Sequence, residues 1–308
     1  FTLASPNSNT NRTITLPDES GTLLTSVGGT TGNLTVSGNL SVDGGTIKLD
    51  GNYPVGTGNV ALGDTALDDG SLSGGYNTAI GSSALSDATS GNSNIAVGYQ
   101  ALRYATTAAG NVSVGVNAMR DTSSGGSNIA VGQDALRSNT TADANTAVGY
   151  QAGYANTTGA QNTALGRVSM LTNTTGNYNV SVGSVALYYN TTGSNNVALG
   201  TQALNNNTTA SSNTAVGYQA GLSNTTGTYN TFVGKDAGFS NTTSSTNSFF
   251  GEYSGRSVTG ESNTFYGQQS GHAITTGAKN TIIGRYTGNQ GGLDIRTSSN
   301  NIVLSDGD

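Results

Sequence analysis

The chain lacks the residues that form most covalent and metal-bound cross-links in proteins. It contains no cysteine, which excludes disulfide bonds and thiolate metal sites. It has no tryptophan and three prolines, and charged residues make up only 9% of it. No run of 18 apolar residues is present, so the sequence predicts no membrane-spanning helix. The absence of cysteine fits either an extracellular fibre or a particle assembled in the cytoplasm.

Charge is also scarce, and it is not clustered along the sequence. The formal net charge is −6, and Lys and Arg occur singly. Because a nucleic-acid interface needs clustered basic residues, we predict no nucleic-acid partner. A disordered chain is usually highly charged, whereas this one is rich in Asn, Thr, Ser and Gly, with 46 glycines. The composition favours an ordered chain that is held together more by backbone stacking than by a thick apolar core.

The main feature of the sequence is a repeated phrase, Asn-x-[Ala/Ser/Phe/Ile]-Φ-Gly, in which Φ is apolar. It occurs fourteen times, and the spacing between successive Asn residues is 18 once, 17 ten times, then 16 and 17. This period is too short for helical hairpin repeats and fits one turn of a β-solenoid. We therefore predict an all-β, parallel β-solenoid of about fourteen coils. The repeat Asn residues are Asn59, Asn77, Asn94, Asn111, Asn128, Asn145, Asn162, Asn179, Asn196, Asn213, Asn230, Asn247, Asn263 and Asn280.

Numbering each coil from its Asn as position 1 shows which positions share a face. Position 4 is always apolar and position 5 is always Gly, so positions 2 and 4 lie on one face of a strand. Position 3 is Ala or Ser in the first ten coils, which predicts a flat opposite face that another sheet can approach. Position 8 is small as well, and we predict two short strands per coil, at positions 1–5 and 7–10. Representative residues are Val97, Val131, Val148 and Val216 at position 4, and Gly98, Gly115, Gly132 and Gly149 at position 5.

Two positions change size in opposite directions along the array. Position 9 is Leu or Met in most early coils, as at Leu67, and is Gly in the last five, as at Gly238. Position 3 changes from Ala and Ser to Phe232, Phe249 and Phe265, and then to Ile282. Since close-packed cores conserve volume, we predict that positions 3 and 9 share one region of the core.

A second phrase, Asn-Thr-Thr, also recurs every 17 residues. Asn tolerates left-handed backbone and its side chain can replace a turn hydrogen bond, so this phrase predicts a repeated turn. Each copy also matches the glycosylation sequon, but the periodic turn explains the pattern without glycosylation. The Asn residues of this phrase are Asn139, Asn156, Asn173, Asn190, Asn207, Asn224 and Asn241.

The phrase divides the chain into four segments. Residues 1–26 carry a strand signal, and residues 27–58 contain short strand signals separated by Gly turns, which predicts a thin stalk. The array occupies residues 59–289, and residues 290–308 form a transition or capping segment. The sequence begins at Phe1, which indicates a partial or processed chain.

The energetics of one coil favour an oligomer. A coil of 17 residues offers about three sizeable apolar groups, each worth roughly 1.5–3 kcal/mol when buried. These groups oppose the entropy lost on ordering the backbone, with only modest net help from ladder hydrogen bonds, so we predict that a single chain is marginally stable. An apolar or small-residue face that repeats in every coil then acts as a subunit interface. We predict a homotrimer, with an array roughly 65 Å long at about 4.8 Å per strand.

The sequence offers few candidates for chemistry. A glycosidase needs two carboxylates roughly 5–9 Å apart across a groove. The adjacent pair Asp68 and Asp69 does not fit, because neighbours on a strand point to opposite faces. His272 has no second His nearby, and Asp is not periodic as calcium-binding repeats require. We predict no catalysis, no cofactor and no metal site.

Six tyrosines are candidates for receptor contact. Their rings can stack on sugars, with neighbouring Asn and Thr supplying hydrogen bonds. In the alternative, which the sequence favours, the same rings cover the flank of the solenoid or fill a groove between subunits. A Thr ladder that binds ice is a third possibility, but Thr occupies position 2 in only half of the coils, and Val or Ile interrupts it in most of the others. The candidate tyrosines are Tyr99, Tyr150, Tyr154, Tyr188, Tyr189 and Tyr218.

The repeat resembles the head repeat of trimeric autotransporter adhesins, a left-handed parallel β-roll. The resemblance rests on Asn145-Thr-Ala-Val-Gly-Tyr-Gln-Ala152 and Asn213-Thr-Ala-Val-Gly-Tyr-Gln-Ala220, although the unit of that family is shorter. Near the ends, Thr13-Ile-Thr-Leu-Pro-Asp-Glu-Ser-Gly-Thr-Leu23, the stretch Val36–Gly44 and Asn301-Ile-Val-Leu-Ser-Asp-Gly307 are similar to segments of phage tail fibres.

Together the resemblances imply a fibre shaft or head on a virion tail or a cell surface. A phage tail fibre is the first interpretation and a bacterial adhesin head is the alternative. A glycan-depolymerising tailspike and an ice-binding solenoid are less favoured. The implied partners are further copies of the chain, other virion or fibre proteins, and a host-surface glycan or protein receptor. No membrane insertion is implied for this segment.

Overall fold

The structure, a computed structural model, describes residues 57–69 and 72–306. These residues form an all-β parallel solenoid of about fourteen turns, and no helix occurs among them. The predicted fold class and the 17-residue period are thus confirmed. The predicted N-terminal segment 1–26 and nearly all of the predicted stalk 27–58 lie outside the described residues.

Each coil contributes one three-residue strand at positions 2–4, and consecutive strands pair in parallel. Fifteen strands form one sheet in chain order, while β15 and β16 pair antiparallel as a separate hairpin. The strands are β1 Val60–Leu62, β2 Thr78–Ile80, β3 Ile95–Val97, β4 Val112–Val114, β5 Ile129–Val131, β6 Thr146–Val148, β7 Thr163–Leu165, β8 Val180–Val182, β9 Val197–Leu199, β10 Thr214–Val216, β11 Thr231–Val233, β12 Ser248–Phe250, β13 Thr264–Tyr266, β14 Thr281–Ile283, β15 Asn289–Gln290, β16 Leu293–Asp294 and β17 Ile302–Leu304.

The register places each repeat position directly over its equivalent. Val97 pairs with Val114, and Val131 pairs with Val148. The register continues beyond the last full phrase, because β17 pairs with β14 as a further rung. Residues 290–308, predicted as a transition or cap, thus contribute both β16 and β17.

The repeat Asn residues form a buried column. The backbone N–H and the Nδ2 of Asn94 both donate to Oδ1 of Asn77, at 3.0 and 3.1 Å. The same Nδ2 also donates to the carbonyl of Ala108, near the end of its own coil, at 2.8 Å. Each side chain therefore joins its coil to a neighbour and also closes the coil. The backbone bond to the preceding Asn recurs at Asn111, Asn128, Asn145, Asn162, Asn179, Asn196, Asn213, Asn230, Asn247, Asn263 and Asn280.

The Asn-Thr-Thr turns from Asn139 to Asn224 form a second column, at position 12, which Asn241 does not extend. Asn156 Nδ2 donates to Asn139 Oδ1 at 3.0 Å and to the carbonyl of Gly159 at 2.8 Å. These side chains are buried, with 0–2% of each residue exposed. The predicted turn chemistry is confirmed, and the sequon nitrogens of this column are enclosed in the protomer.

The inside of the coil is narrow because only small side chains enter it. Ala96 and Ala130, at position 3, are fully buried, whereas positions 2 and 4 share a face, as predicted, and this face points outward. We predicted that a second sheet would face this one. The structure instead places the turn segment around position 8 opposite the sheet. Ser113 Oγ donates to the carbonyl of Ala118 across this interior, at 2.8 Å.

The predicted second strand at positions 7–10 is wrong, because this segment consists of turns with left-handed residues. Gln100 and Leu102, at positions 7 and 9, have φ values of 55° and 50°. It is nevertheless tied to both neighbours. Gln100 N–H donates to the carbonyl of Ser82 in the preceding coil, and Leu102 N–H donates to that of Ala118 in the following coil, both at 3.0 Å. Backbone hydrogen bonds between coils thus continue where the strand geometry stops.

The glycine at position 5 is required by both conformation and space. Gly98 has a φ of 135°, which L side chains rarely adopt. A Cβ on this residue would lie 2.5 Å from the carbonyl oxygen of Gly115 in the next coil. The invariant glycine of the phrase therefore permits the close stacking of successive coils.

The predicted exchange of volume between positions 3 and 9 is confirmed. Phe232 is fully buried, and a Cβ on Gly221 of the preceding coil would lie 2.6 Å from Cδ2 of its ring. A Cβ on Gly238, in the same coil as Phe232, would also collide with that ring. Phe249 and Phe265 continue the stack, with ring centroids 4.9 Å apart. Phenylalanine at position 3 thus takes the space that Leu or Met occupies in earlier coils.

Replacement of one column residue, Asn128→Ala, should destabilise the centre of the array. It removes two hydrogen bonds donated by Asn128 and two accepted from Asn145, all of them buried. Unsatisfied buried groups cost about 1–3 kcal/mol each, so we expect a loss of about 3–5 kcal/mol in unfolding free energy, measured by denaturant titration. Hydrogen exchange should accelerate most at β5 and β6. Unchanged protection there would contradict a structural role for the column.

The shared core region can be tested with a double mutant. Phe232→Ala should cost about 3–5 kcal/mol through the cavity it leaves, and Gly238→Leu should cost at least about 1–3 kcal/mol through overpacking. The double variant recreates the Ala and Leu pair of the earlier coils, as at Ala130 and Leu136. We therefore expect it to be more stable than the sum of the single changes predicts, by about 1–3 kcal/mol. Strict additivity in the double-mutant cycle would show that the two sites do not share space.

Candidate functional site

The outward face of the sheet carries a continuous line of apolar side chains, which we call the apolar stripe. It consists of the position 4 residues of every coil, together with Val or Ile where these occur at position 2. Its members are half-exposed to exposed in the single chain, with Ile95 at 43% and Val148 at 40%. Val97 and Val216 are half-buried members of the same line. Single exposed apolar residues are ordinary, but a contiguous apolar surface marks an interaction site.

A second feature is a groove of about 490 Å³ that crosses four consecutive coils. We call it the tyrosine groove, and its volume lies in the range of small-molecule sites. One side is formed by positions 6 and 7 of the coils and the other by positions 10 and 11. Its lining residues are Tyr150, Gln151, Arg167, Val168, Leu171, Val185, Tyr188, Tyr189, Gln202 and Asn205.

The groove has an apolar part because position 7 is valine in two adjacent coils. Val168 and Val185 have φ values of 48° and 55°. This conformation is strained for a β-branched residue and costs of order 1–3 kcal/mol. At the same position the adjoining coils carry Gln151 and Gln202, and the remaining coils carry Gln, Asn, Asp, Ser, Thr or Tyr. Val168 is nevertheless almost fully buried, at 6% exposed.

The aromatic part of the groove is rigid and open. The rings of Tyr188 and Tyr189 contact edge to face, with centroids 4.6 Å apart and an interplanar angle of 74°. Tyr189 is 49% exposed and Tyr150 is 44% exposed. Exposed aromatic faces beside a charged group and amides are suited to a ligand that is both apolar and polar.

The charged group is Arg167, which is exposed and makes no side-chain hydrogen bond or ion pair with the part of the chain that the structure describes. Four other arginines lie near acids, whereas Arg103 lies over the ring of Tyr104 and Arg285 donates to Gln269. Arg120 lies 2.7 Å from Asp121, and Arg296 lies 2.7 Å from Asp294. None of the residues lining the groove is acidic. The groove is therefore locally positive in a chain whose net charge is −6.

The structure brings together three of the six candidate tyrosines, Tyr150, Tyr188 and Tyr189. Tyr154 lies apart from the groove and is held by Arg137, whose Nη1 donates to the phenol oxygen at 3.0 Å. Tyr99 and Tyr218 are exposed at the same coil position as Tyr150, but three and four coils away from it. Three of the six candidate tyrosines thus form one cluster, and the other three lie separately.

The sequence reasoning missed Arg167 and the two valines. A signal was present, since position 7 is valine only in the coils of Asn162 and Asn179. Comparing the coils position by position would have marked these two coils as different from the rest.

Folding also stacks basic residues that are isolated in the sequence. Arg103, Arg120 and Arg137 occupy position 10 of three consecutive coils. Their charge is partly compensated, because Arg120 pairs with Asp121 and Arg137 lies 3.9 Å from Asp134. The prediction that no nucleic acid binds remains a prediction.

Residues 57–69 and 72–306 group no three His, Asp or Glu side chains in a way that could hold a metal ion. Within the same residues, no helix is long and apolar enough to cross a membrane. Acids that were isolated in the sequence have basic neighbours here, with Glu252 3.5 Å from Lys235 and Asp236 3.8 Å from Arg256.

Comparison of the chain with protein-family models, with curated proteins and with solved structures gives no match. The stripe and the groove are therefore interpreted from their own geometry.

His272 provides a pH-dependent test of the C-terminal coils. Burial, with a smaller effect from the charge of Arg256, lowers the pKa of its imidazole below the ordinary value. Below the ordinary His pKa of about 6.5, the unfolded chain therefore binds more protons than the folded chain. The contribution of His272 to the free energy of unfolding is fully present above that pH and is lost as the pH falls toward the lower pKa of the folded state. We expect the unfolding temperature to decrease between pH 6.5 and 5, where most carboxylates stay ionised. His272→Gln should remove this slope, and an equal slope in both proteins would refute the assignment.

Proposed function

We propose that this chain is the shaft or head of a homotrimeric fibre that attaches to a host surface, as part of a phage tail fibre. Its work is structural and adhesive, without substrate turnover. The observation that carries the proposal is the apolar stripe, which extends over all the coils and stays half-exposed in the protomer. The left-handed sense of the coils and the thin stalk are parts of the same proposal.

The stripe supports association between identical chains. Every copy has the same spacing between coils, so stripes placed around a common axis meet position by position. Closed rotational symmetry is the usual arrangement of homo-oligomers. The resemblance to trimeric adhesin heads supports three chains rather than two. Buried stripes would also add the apolar contact that the narrow, Ala-lined interior does not supply.

Adhesion is supported by the surface outside the stripe. Asn, Thr and Ser side chains cover it, and the tyrosine groove offers a place for a receptor at positions distinct from the stripe. A bacterial adhesin head is the main alternative, and the sequence flanking this segment distinguishes the two. A C-terminal chaperone domain supports the phage fibre, whereas a coiled-coil stalk with an outer-membrane barrel supports the adhesin.

Two other activities fit less well. A glycan-depolymerising tailspike needs a pair of carboxylates across a groove, and the tyrosine groove is lined by no acid. Ice binding needs a regular Thr ladder, but β3, β4 and β5 carry Ile, Val and Ile at position 2.

The oligomer can be tested by native mass spectrometry. The protein should have the mass of three 30.8 kDa chains. Val131→Lys combined with Val148→Lys places adjacent charges in the stripe and should give a folded monomer by circular dichroism, because both residues are already half-exposed in the protomer. Thr158→Lys, on an exposed turn, is the control and should remain trimeric. A monomeric parent protein, or a trimer that tolerates both lysines, would refute the proposed interface.

Attachment is tested with labelled trimer on a panel of bacterial cells. Saturable binding to some strains is expected, and the stripe variant should bind more weakly because it presents one site instead of three. A well-formed trimer that binds none of a broad panel of strains would count against the adhesive role.

A further inference from the structure

We propose that the tyrosine groove binds an acidic saccharide, in which a sugar carboxylate pairs with Arg167 and a sugar ring packs on the tyrosines. The inference rests on the proposed attachment function and specifies the class of receptor. It is argued from the unpaired cation, the open aromatic rings, the oriented amides and the strained valines of the groove.

Arg167 is suited to recognise a carboxylate. A guanidinium presents parallel N–H donors that match the two oxygens of a carboxylate. Arg120 and Arg296 show this pairing within the chain, since each donates two hydrogen bonds to the carboxylate of a nearby Asp. Arg167 has no such partner among the described residues and lies beside the groove. A ligand that brings a carboxylate supplies the missing contact.

The tyrosines are suited to the apolar face of a sugar ring. Tyr150 and Tyr189 lie in different coils and both are about half exposed. Tyr188 is braced against Tyr189 by their edge-to-face contact, so little side-chain entropy is lost when a ligand packs there. Tyrosine offers a large contact area at low entropic cost and a hydroxyl that can also hydrogen-bond.

The amides of the groove are oriented by bonds to their neighbours. Gln202 Oε1 accepts from Gln219 Nε2 at 2.7 Å, which directs its own Nε2 as a donor. Asn205 Nδ2 donates to the carbonyl of Val185 at 2.7 Å, which leaves its Oδ1 as an acceptor. A fixed donor and a fixed acceptor can form hydrogen bonds with the hydroxyl groups of a sugar. Gln151 adds a third amide to the lining.

The valines indicate that this arrangement is not demanded by the fold. Outside the coils of Val168 and Val185, the left-handed position 7 carries Gln, Asn, Asp, Ser or Tyr, and the β-branched Thr65 in the first coil. Val168 and Val185 are the valines with positive φ in the portion of the chain that the structure describes, and both line the groove. Strained residues concentrate at functional sites, where a gain in binding compensates for the strain.

The test is isothermal titration with acidic oligosaccharides and their neutral counterparts. The acidic probes are oligomers of galacturonate, of glucuronate and sialyllactose. The neutral probes are the methyl esters of the two uronate oligomers, and lactose. At least one acidic probe should bind at least tenfold more tightly than its neutral partner, and its affinity should fall as salt screens Arg167.

Variants assign the binding to the groove. Arg167→Gln should reduce affinity for the acidic probe at least tenfold and abolish the preference over its neutral partner. Arg285→Gln is the matched control, since Arg285 occupies position 6 of another coil and should not matter. Val185→Gln, which copies Gln151 and Gln202, should weaken binding of both probes while leaving the unfolding temperature within a few degrees.

Several outcomes would overturn the inference without touching the proposed fibre. One is a trimer that attaches to cells equally well with and without Arg167→Gln, which indicates a protein receptor or another site. A second is a trimer that binds none of the acidic probes or does not discriminate them from neutral ones. A third is a Tyr188→Ala variant that no longer forms the trimer but still binds the saccharide. That result would make the groove a contact between subunits. A monomeric parent protein would refute the fibre proposal, independently of the titration result.

Discussion

The buried column of asparagines is the interaction on which the rest of the structure depends. Each Oδ1 accepts from the next Asn, and each Nδ2 returns to the end of its own coil, so one residue fixes both the stacking and the closure. The Asn hydrogen bonds are kept even where the spacing departs from 17 residues. Spacings of 18, 16 and 21 residues precede Asn77, Asn263 and Asn301, yet each backbone N–H still reaches the preceding Oδ1 at 2.8–2.9 Å. Extra or missing residues are accommodated in the turns, such as the β15–β16 hairpin.

The stacked coils have a narrow interior, and this narrowness determines which side chains lie on the surface. Alanine fills position 3 of most coils, so the larger apolar residues of positions 2 and 4 lie outside as the apolar stripe. Positions 6, 7, 10 and 11 are not fixed by stacking, so they are free to vary from coil to coil. The tyrosine groove arises where four such coils carry a matching set of side chains. A repetitive core thus supports a non-repetitive surface, which is compatible with the proposed adhesive role.

Most of the fold follows from the sequence because the repeat is strict. The parallel stacking, the shared face of positions 2 and 4, and the coupling of Phe232 with Gly238 all follow from positional patterns. The second strand at positions 7–10 does not, because its apolar and small residues suit a strand, whereas the structure shows left-handed conformations there, as at Leu102. The groove itself was not predicted, although three of its lining residues were among the candidate tyrosines. Tyr150, Tyr188 and Tyr189 are visible as aromatic residues, but Arg167 gains its role only from neighbours 17 or more residues away and from its lack of an acidic partner.

The side-chain amide protons of the column provide the most direct test of this account. Their hydrogen exchange can be followed by NMR on protein labelled at asparagine, with the exposed Asn195 as an internal reference. The account predicts strong protection of the Nδ2 protons of Asn94, Asn111 and Asn128, because each bonds to a neighbouring coil and to its own. Exchange of these protons as fast as those of Asn195 would contradict the stacked column, and with it the solenoid built on it.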